Sequence, residues 1–349
     1  MSHSILLTGA SGYLGGTIAA RWKSANLPAY KKAYALVRTP EQAEGVKQYG
    51  FEPLTFDLTD EESVTKAIVE HEISIVYFLI DAFKPDSQVR IIKALAQVRE
   101  KTGRDVHFLH TTGAKLFSGF VGHPTDRPLL DNEEGLYEIQ KNARGPLEVM
   151  NTAVRANTTI IDTAESYGVQ SYIFAPCIVY GEGEGFGNKI SIQTVAIVQA
   201  AKAVRRVYRT QSDRPTWPVS HVVDTTTLYL EILRNILLGK DIGHGKKGFF
   251  LAASGSVAWD DLYSAMAKSL AKRNVVDDET VHDADDTVLE KMGEALSCPK
   301  EFVPVQLSGK CTLTAEHGKQ IGWKPQYPPE HILEAADAEV ETILKFLKA

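Results

Sequence analysis

The run Gly9-Ala10-Ser11-Gly12-Tyr13-Leu14-Gly15 carries three glycines at a spacing that suits a diphosphate. Glycines so placed let the chain bend sharply, let the backbone approach a pyrophosphate, and let a helix pack closely on the preceding strand. Ile5-Leu6-Leu7 ahead of the run reads as that strand, and the helix begins near Tyr13. Its N-terminus offers unpaired N–H groups and partial positive charge to the phosphates. Gly9, Ser11, Gly12, Tyr13, Leu14 and Gly15 are therefore the expected dinucleotide contacts. A glycine turn that binds nothing is the bland alternative, and it leaves the position directly after a strand unexplained.

The end of the second strand speaks to which dinucleotide. A carboxylate there suits the ribose hydroxyls of NAD, whereas the extra phosphate of NADP needs a cation. The chain reads Ala35-Leu36-Val37-Arg38-Thr39, with no acid until Glu41. Arg38 offers a planar donor fork to a 2′-phosphate. NADP(H) is the expected cofactor and NAD(H) the alternative, in which case Arg38 is a solvated surface residue.

Further candidates follow from position. Asp81, just past Leu79-Ile80 at the end of the fourth strand, is placed to meet cofactor or substrate. The loop Gly181-Glu182-Gly183-Glu184-Gly185-Phe186-Gly187-Asn188 carries four glycines directly after a strand. It is read as a pliable cover with Phe186 and Asn188 facing the substrate, or else as a tight surface turn. Tyr180 lines the pocket or packs beneath it. His110 and His221 are expected to be hydrogen-bonded structural residues. Cys177, Cys298 and Cys311 have no zinc or disulfide spacing, and Asp260, Asp261, Asp283, Asp285 and Asp286 have no calcium-loop spacing. No metal is expected, and the acidic clusters read as helix starts.

These residues need a frame to hold them. Strands are predicted at 5–8, 32–37, 52–56, 73–79, 105–109 and 171–174, and helices at 13–24, 41–49, 61–70, 87–101 and 146–167. Alternation of this kind forms a doubly wound parallel α/β sheet of Rossmann type, with ligands at the carboxyl ends of its strands. Residues 181–217 and 251–349 lack the alternation and are assigned to a smaller substrate lobe. Residues 1–180, with 218–250 returning, form the dinucleotide domain. The 349 residues are 44% hydrophobic, enough for a large core. A net charge of −6 argues against nucleic acid as a partner. The basic run from Lys202 to Arg209 is interleaved with Val204, Val207 and Tyr208, as at a half-buried element edge. No leader-like N-terminus and no membrane-length apolar run is present. The expectation is a cytoplasmic monomer or homodimer acting on a small molecule.

Thr8-Gly9-Ala10-Ser11-Gly12-Tyr13-Leu14-Gly15 resembles the T-G-x-x-G-x-x-G of extended short-chain dehydrogenases/reductases, the NAD-dependent epimerase/dehydratase-like enzymes. Later landmarks fall in the order seen in that family. Asp57-Leu58 resembles the pair that meets the adenine. Ala175-Pro176-Cys177-Ile178-Val179-Tyr180-Gly181 resembles the Arg-Pro…Val-Tyr-Gly element beneath the nicotinamide, with alanine at the arginine position. His221-Val222-Val223-Asp224 and Ile321-Gly322-Trp323-Lys324-Pro325 resemble its His-Val-x-Asp and Leu-Gly-Trp-x-Pro. The resemblance implies that Asp57, Leu58, Pro176 and Ile178 touch the cofactor.

The resemblance leaves the catalytic group open. The family uses Ser/Thr with Tyr-x-x-x-Lys, and one such string is Tyr137-Glu138-Ile139-Gln140-Lys141. The family's usual interval before Tyr180-Gly181 lands instead on Val149 and Ala153, neither of which can donate a proton. Gly145-Pro146 breaks the helix in between, so Tyr137 is expected on a loop that folds over the cofactor. Thr112-Gly113-Ala114-Lys115 resembles the Thr-Gly-x-Lys of the progesterone 5β-reductase and iridoid synthase group. That resemblance implies that Lys115 supplies an ammonium near the reacting oxygen, beside Thr112. The chain departs from the group at Leu116-Phe117, where His-Tyr is usual. The reading is an NADP(H)-dependent oxidoreductase acting on a carbonyl, alcohol or conjugated enone. The alternatives are a cofactor-retaining epimerase or dehydratase, and a non-catalytic nucleotide sensor of the NmrA type.

Overall fold

The computed structural model describes residues 2–347. The chain opens with β1 (Ser4–Leu7), α1 (Tyr13–Arg21), β2 (Lys32–Leu36), α2 (Pro40–Lys47), β3 (Glu52–Leu54), α3 (Glu61–Glu70), β4 (Ile73–Phe78), α4 (Asp86–Thr102) and β5 (His107–Thr111). It continues through β6 (Leu129–Leu130), α5 (Leu136–Asn142), α6 (Glu148–Ser166), β7 (Gln170–Pro176), β8 (Ile178–Tyr180), α7 (Gln193–Val204), β9 (Val207–Arg209), β10 (Thr216–His221) and α8 (Val222–Leu237). Then come β11 (Phe249–Ala252), β12 (Gly255–Ala258), α9 (Trp259–Lys272), β13 (Val281–Asp283), α10 (Asp286–Ala295), α11 (Val303–Leu307) and β14 (Leu313–Thr314).

Seven strands form one sheet in the order β11-β7-β5-β4-β1-β2-β3, and every neighbouring pair is parallel. Every residue of β1 and of β4 is buried, because helices cover both faces of such a sheet. Tyr77 and Thr111 point to the α8 side, where the Tyr77 hydroxyl donates to the Tyr229 carbonyl and Thr111 Oγ1 meets the Tyr229 hydroxyl. Phe78 and His110 pack together, rings tilted, on the opposite side. The order in which strands are added reverses between β1 and β4, which opens a crevice at the carboxyl ends of those parallel strands. Local chemistry sets several helix starts: Thr39, Asp60 and Asp285 each accept the capping N–H of Gln42, Ser63 and Val288.

Smaller sheets, β12-β10-β8, β13-β9 and β14-β6, build the rest. Buried carboxylates fasten these later segments to the main sheet. Asp131 accepts the N–H groups of Leu251, Glu316 and His317, each at 2.8 Å. Asp224 accepts those of Gln326 and Tyr327. The basic run is neutralised within the molecule: Arg205 pairs with Asp277, Arg206 with Asp278, and Arg209 with both Asp260 and Asp283. Among the described residues, no helix is long and apolar enough to cross a membrane, and no cluster of His, Cys, Asp or Glu is arranged for a metal.

Candidate active site

The glycine turn is built by close backbone approach. Gly9 has φ +73°, and a Cβ placed on Gly15 would lie 2.2 Å from the Gly9 carbonyl oxygen. Only glycine at both positions lets α1 start this near the sheet. Thr8 Oγ1 accepts the Leu79 N–H at 2.9 Å and ties the ends of β1 and β4 together. No side chain caps the N-terminus of α1, and its first turn holds no acid. The free N–H groups and the dipole there suit an anion.

From this turn a cavity of about 600 Å³ runs across the strand ends. Gly9, Gly12, Tyr13, Leu14 and Gly15 line one end; Leu79, Ile80 and Asp81 follow, then Thr112 and Lys115, with Pro176, Val179 and Asn188 along the side. Phe302, Val305 and Gln306, at and within α11, close the far wall. The residues at the turn fit a dinucleotide: a Cβ on Gly12 would meet the Gly9 carbonyl oxygen at 3.1 Å and stand where a pyrophosphate must approach.

Lys115 sits on a tight turn, Ala114–Phe117, directly after β5. Among the described residues its ammonium has neither a hydrogen-bond acceptor nor a carboxylate within ion-pair distance. Burial pushes its pKa down from 10.5 to about 8, opposed by the nearby Cys298. The Thr112 hydroxyl is also buried without a partner among the described residues, while its N–H donates to the Phe174 carbonyl and locks the end of β5 onto β7. Buried polar groups are normally paired. The buried Thr112 hydroxyl is an exception, and with the half-buried Lys115 ammonium on the same cavity it marks a place where a ligand's polar atoms would sit.

Tyr137 does not join them. It lies on the helix α5, not on a loop, and its hydroxyl donates to Asp162 Oδ1 at 2.5 Å. Lys141 and Lys246 flank its ring at 5.3 and 4.9 Å. Burial, and then Asp162, raise its pKa to about 12, the wrong direction for a proton shuttle. The same helix turns Gln140 inward, where its Nε2 donates to the Leu116 carbonyl at 2.7 Å and its Oε1 accepts from Asn157. Gln140 thus props the Lys115 turn, a role for which its sequence context carries no signal. Tyr137→Phe is expected to leave turnover within about twofold and to lower stability by about 1 kcal/mol, the worth of one hydrogen bond. Steady-state kinetics and urea unfolding of the variant check both.

Packing shows where the other candidates lie. Phe186 leaves the substrate side and lies on α2, its ring filling the space that a Cβ on Gly45 would occupy, beside Tyr49. Tyr180 points away from the cavity and its hydroxyl meets His331 Nδ1 at 2.9 Å, whereas Val179 faces in. Ile178 is wholly buried in register with Val219, and Leu58 packs half-buried against the core. Asp57 spends its carboxylate on the Thr59 N–H and hydroxyl, both at 2.8 Å. His221 accepts the Val223 N–H, but both ring nitrogens of His110 are buried without a partner among the described residues, and burial lowers its pKa to about 4. Arg38 is exposed at the end of β2, and its own N–H donates to Gln42 Oε1. Met150, next to the Val149 position where the family's tyrosine would stand, lines the cavity.

The loop after β8 forms a strap across the glycine turn. Tyr13 donates to the Gly181 carbonyl at 2.6 Å, the Asn188 N–H donates to the Ser11 carbonyl at 2.9 Å, and Arg21 grips Glu184 with two hydrogen bonds. Gly185 and Gly187 lie so close to Gly16 and Ser11 that a Cβ on either would collide with backbone.

Solved structures share this architecture. UDP-glucose 4-epimerase of Thermotoga maritima, solved with UDP-glucose, aligns over 99% of this chain and 100% of its own at a TM-score of 0.63 and 14% identity. dTDP-glucose 4,6-dehydratase of Bacillus anthracis, solved with NAD, aligns over 99% and 98% at a TM-score of 0.65 and 10% identity. A monomeric L-threonine 3-dehydrogenase from a metagenome aligns over 99% and 100% at a TM-score of 0.61 and 15% identity. Identities this low speak for the fold alone. No curated protein matches the chain by sequence. The model of the NAD dependent epimerase/dehydratase family, in contrast, matches residues 5–243. That span is more than half of the chain and holds the glycine turn, Thr112 and Lys115, so the protein belongs to the NAD dependent epimerase/dehydratase family.

Proposed function

We propose that the protein is an NADP(H)-dependent oxidoreductase acting on a carbonyl, alcohol or conjugated enone of a small organic substrate. One observation carries this reading: a single cavity joins an uncapped glycine turn to the Lys115 ammonium, which has no partner among the described residues. The main-chain N–H groups of Ser11, Tyr13 and Leu14 hold the diphosphate, the Gly12 N–H being spent on the Gly9 carbonyl within the turn, and Leu79, Ile80 and Pro176 flank the cofactor. When bound, the nicotinamide supplies or accepts a hydride at the substrate carbon. Lys115 stabilises negative charge on the substrate oxygen, and with its pKa near 8 it also holds a proton that can pass to that oxygen. The Thr112 hydroxyl donates a second hydrogen bond, and Asn188 and Asp81 border the substrate.

The test is to follow NADPH absorbance with a panel of aldehydes, ketones and enones. Oxidation of NADPH by at least one class is the expected result, and binding of NADPH without turnover of any class would favour a nucleotide sensor. Cofactor choice has its own check. Arg38→Ala is expected to lower the NADPH-to-NADH affinity ratio by at least about tenfold, in line with the loss of one charge-assisted pair. Calorimetric titration with both dinucleotides measures it, and an unchanged ratio removes the phosphate assignment. A cofactor-retaining epimerase or dehydratase is the second reading, favoured by the strap from Gly181 to Asn188 over the glycine turn.

A further inference from the structure

Large apolar side chains gather at the mouth of the cavity. Among the described residues, Ile80 is 47% exposed, Phe83 49% and Ile192 72%, and all of them line the same cavity. Single exposed apolar residues are ordinary, but a cluster at one opening marks a surface that meets an apolar partner. Ile80 lies against the glycine turn, 3.2 Å from where a Cβ on Gly9 would stand, and a bound dinucleotide would cover it. Phe83 and Ile192 come from the loops after β4 and before α7. Behind them Trp217, Phe302 and Val305 continue the apolar wall inward.

The charges in the cavity are sparse. Of the described lining residues only Lys115 is a cation and only Asp81 an anion. The Asp81 carboxylate is already taken by the N–H groups of Phe83 and Lys84. A nucleotide-sugar diphosphate would bring at least two negative charges past this apolar rim and find a single ammonium. A buried anion without a partner is strongly disfavoured. A compound with one polar oxygen and a hydrocarbon body meets no such penalty, and its body gains by leaving water.

We infer that the substrate is a lipophilic carbonyl compound, not a nucleotide sugar, that enters past Phe83 and Ile192 and sets its oxygen at the Lys115 ammonium. This rests on the reading of Lys115 proposed above, so the test reads binding and not turnover. The protein, saturated with NADP+ or NAD+, is titrated calorimetrically with 2-butanone, 2-hexanone, 2-octanone, 2-decanone and UDP-glucose. Affinity is expected to rise by about fourfold per added methylene until the cavity is filled, with UDP-glucose binding more weakly than 2-decanone. The double variant Phe83→Ser, Ile192→Ser is expected to flatten that ladder, and Phe83→Leu to keep it. A flat ladder in the native protein, or UDP-glucose binding more tightly than 2-decanone, overturns the substrate class, even if NADPH is consumed with some hydrophilic carbonyl. A steep ladder without consumption of NADPH upholds the class and instead removes the proposed reaction.

Discussion

Lys115→Met is expected to lower kcat for the proposed NADPH-dependent carbonyl reduction by about 10²- to 10³-fold, the usual cost of losing one preorganised donor to a developing oxyanion. The same substitution raises stability near neutral pH, and the two effects share one cause. Folding places the ammonium in a half-buried cavity with no partner among the described residues, and its pKa falls from 10.5 to about 8. Between those values the unfolded chain binds a proton that the folded protein has released, so native stability climbs as pH rises through that window. Below pH 8 both states are protonated, and the folded state carries the full cost of the desolvated charge. Methionine fills a similar volume and carries no charge. The melting temperature of the variant therefore exceeds that of the native protein at pH 7, and the gap closes toward pH 10. Activity of the native enzyme in the reducing direction moves the opposite way and declines above about pH 8 as the ammonium is lost. A buried lysine with no part in the reaction gives the stability profile without the activity one. Parallel activity and thermal-unfolding profiles across that pH range decide it, and a variant that loses activity and stability together removes Lys115 from the site.

The frame that positions this lysine was largely legible in the chain. The strands β1 to β5 and β7, with the helices α1 to α4 and α6, carry apolar patterns punctuated by glycine and proline, so local pattern and tertiary packing agree on them. The two-residue β6 and the short α5 carry no such pattern. The glycine turn is equally legible, because its requirement is one of backbone geometry and belongs to the residues themselves. Orientation of single side chains is another matter. Tyr137, Tyr180 and Phe186 are polar-tipped or aromatic residues near the right strand ends, yet each is turned away by a partner that spacing cannot show. Asp162 takes the first, and His331, 151 residues distant in the chain, takes the second. The missing side chain of Gly45 receives the third. The far wall of the cavity was illegible for a different reason. Phe302, Val305 and Gln306 lie in and beside the short helix α11, five residues long, whose place is fixed by long-range packing and not by period. Val149 and Ala153 did carry information in the sequence: the absence of the usual tyrosine and lysine there moves attention to Lys115.

Gly15→Ala separates a dinucleotide site from a tight turn that merely packs well, through comparison with Gly12→Ala. At Gly15 the new methyl would stand 2.2 Å from the Gly9 carbonyl oxygen and 2.7 Å from its carbonyl carbon, both backbone atoms that cannot swing aside. Helix α1 must retreat from the sheet, and overpacking of this kind costs about 1–3 kcal/mol. Retreat also carries the N–H groups of Tyr13 and Leu14 away from any phosphate. A dinucleotide then loses several hydrogen bonds to a charged group at once, each worth about 1.5–3 kcal/mol, so affinity falls by at least about 100-fold. At Gly12 the methyl would meet the Gly9 carbonyl oxygen at 3.1 Å, a contact that a few tenths of an ångström relieve. Gly12→Ala therefore keeps most of the native melting temperature. Its methyl nevertheless projects toward the space a pyrophosphate needs, and dinucleotide affinity still falls at least about tenfold. Thermal unfolding together with calorimetric titration of NADPH and NADH reads both quantities on both variants. The pairing decides the point, because a turn with no ligand predicts that affinity loss never outruns stability loss. If Gly12→Ala binds NADPH as tightly as the native protein does, the phosphate lies elsewhere and the assignment of this crevice fails.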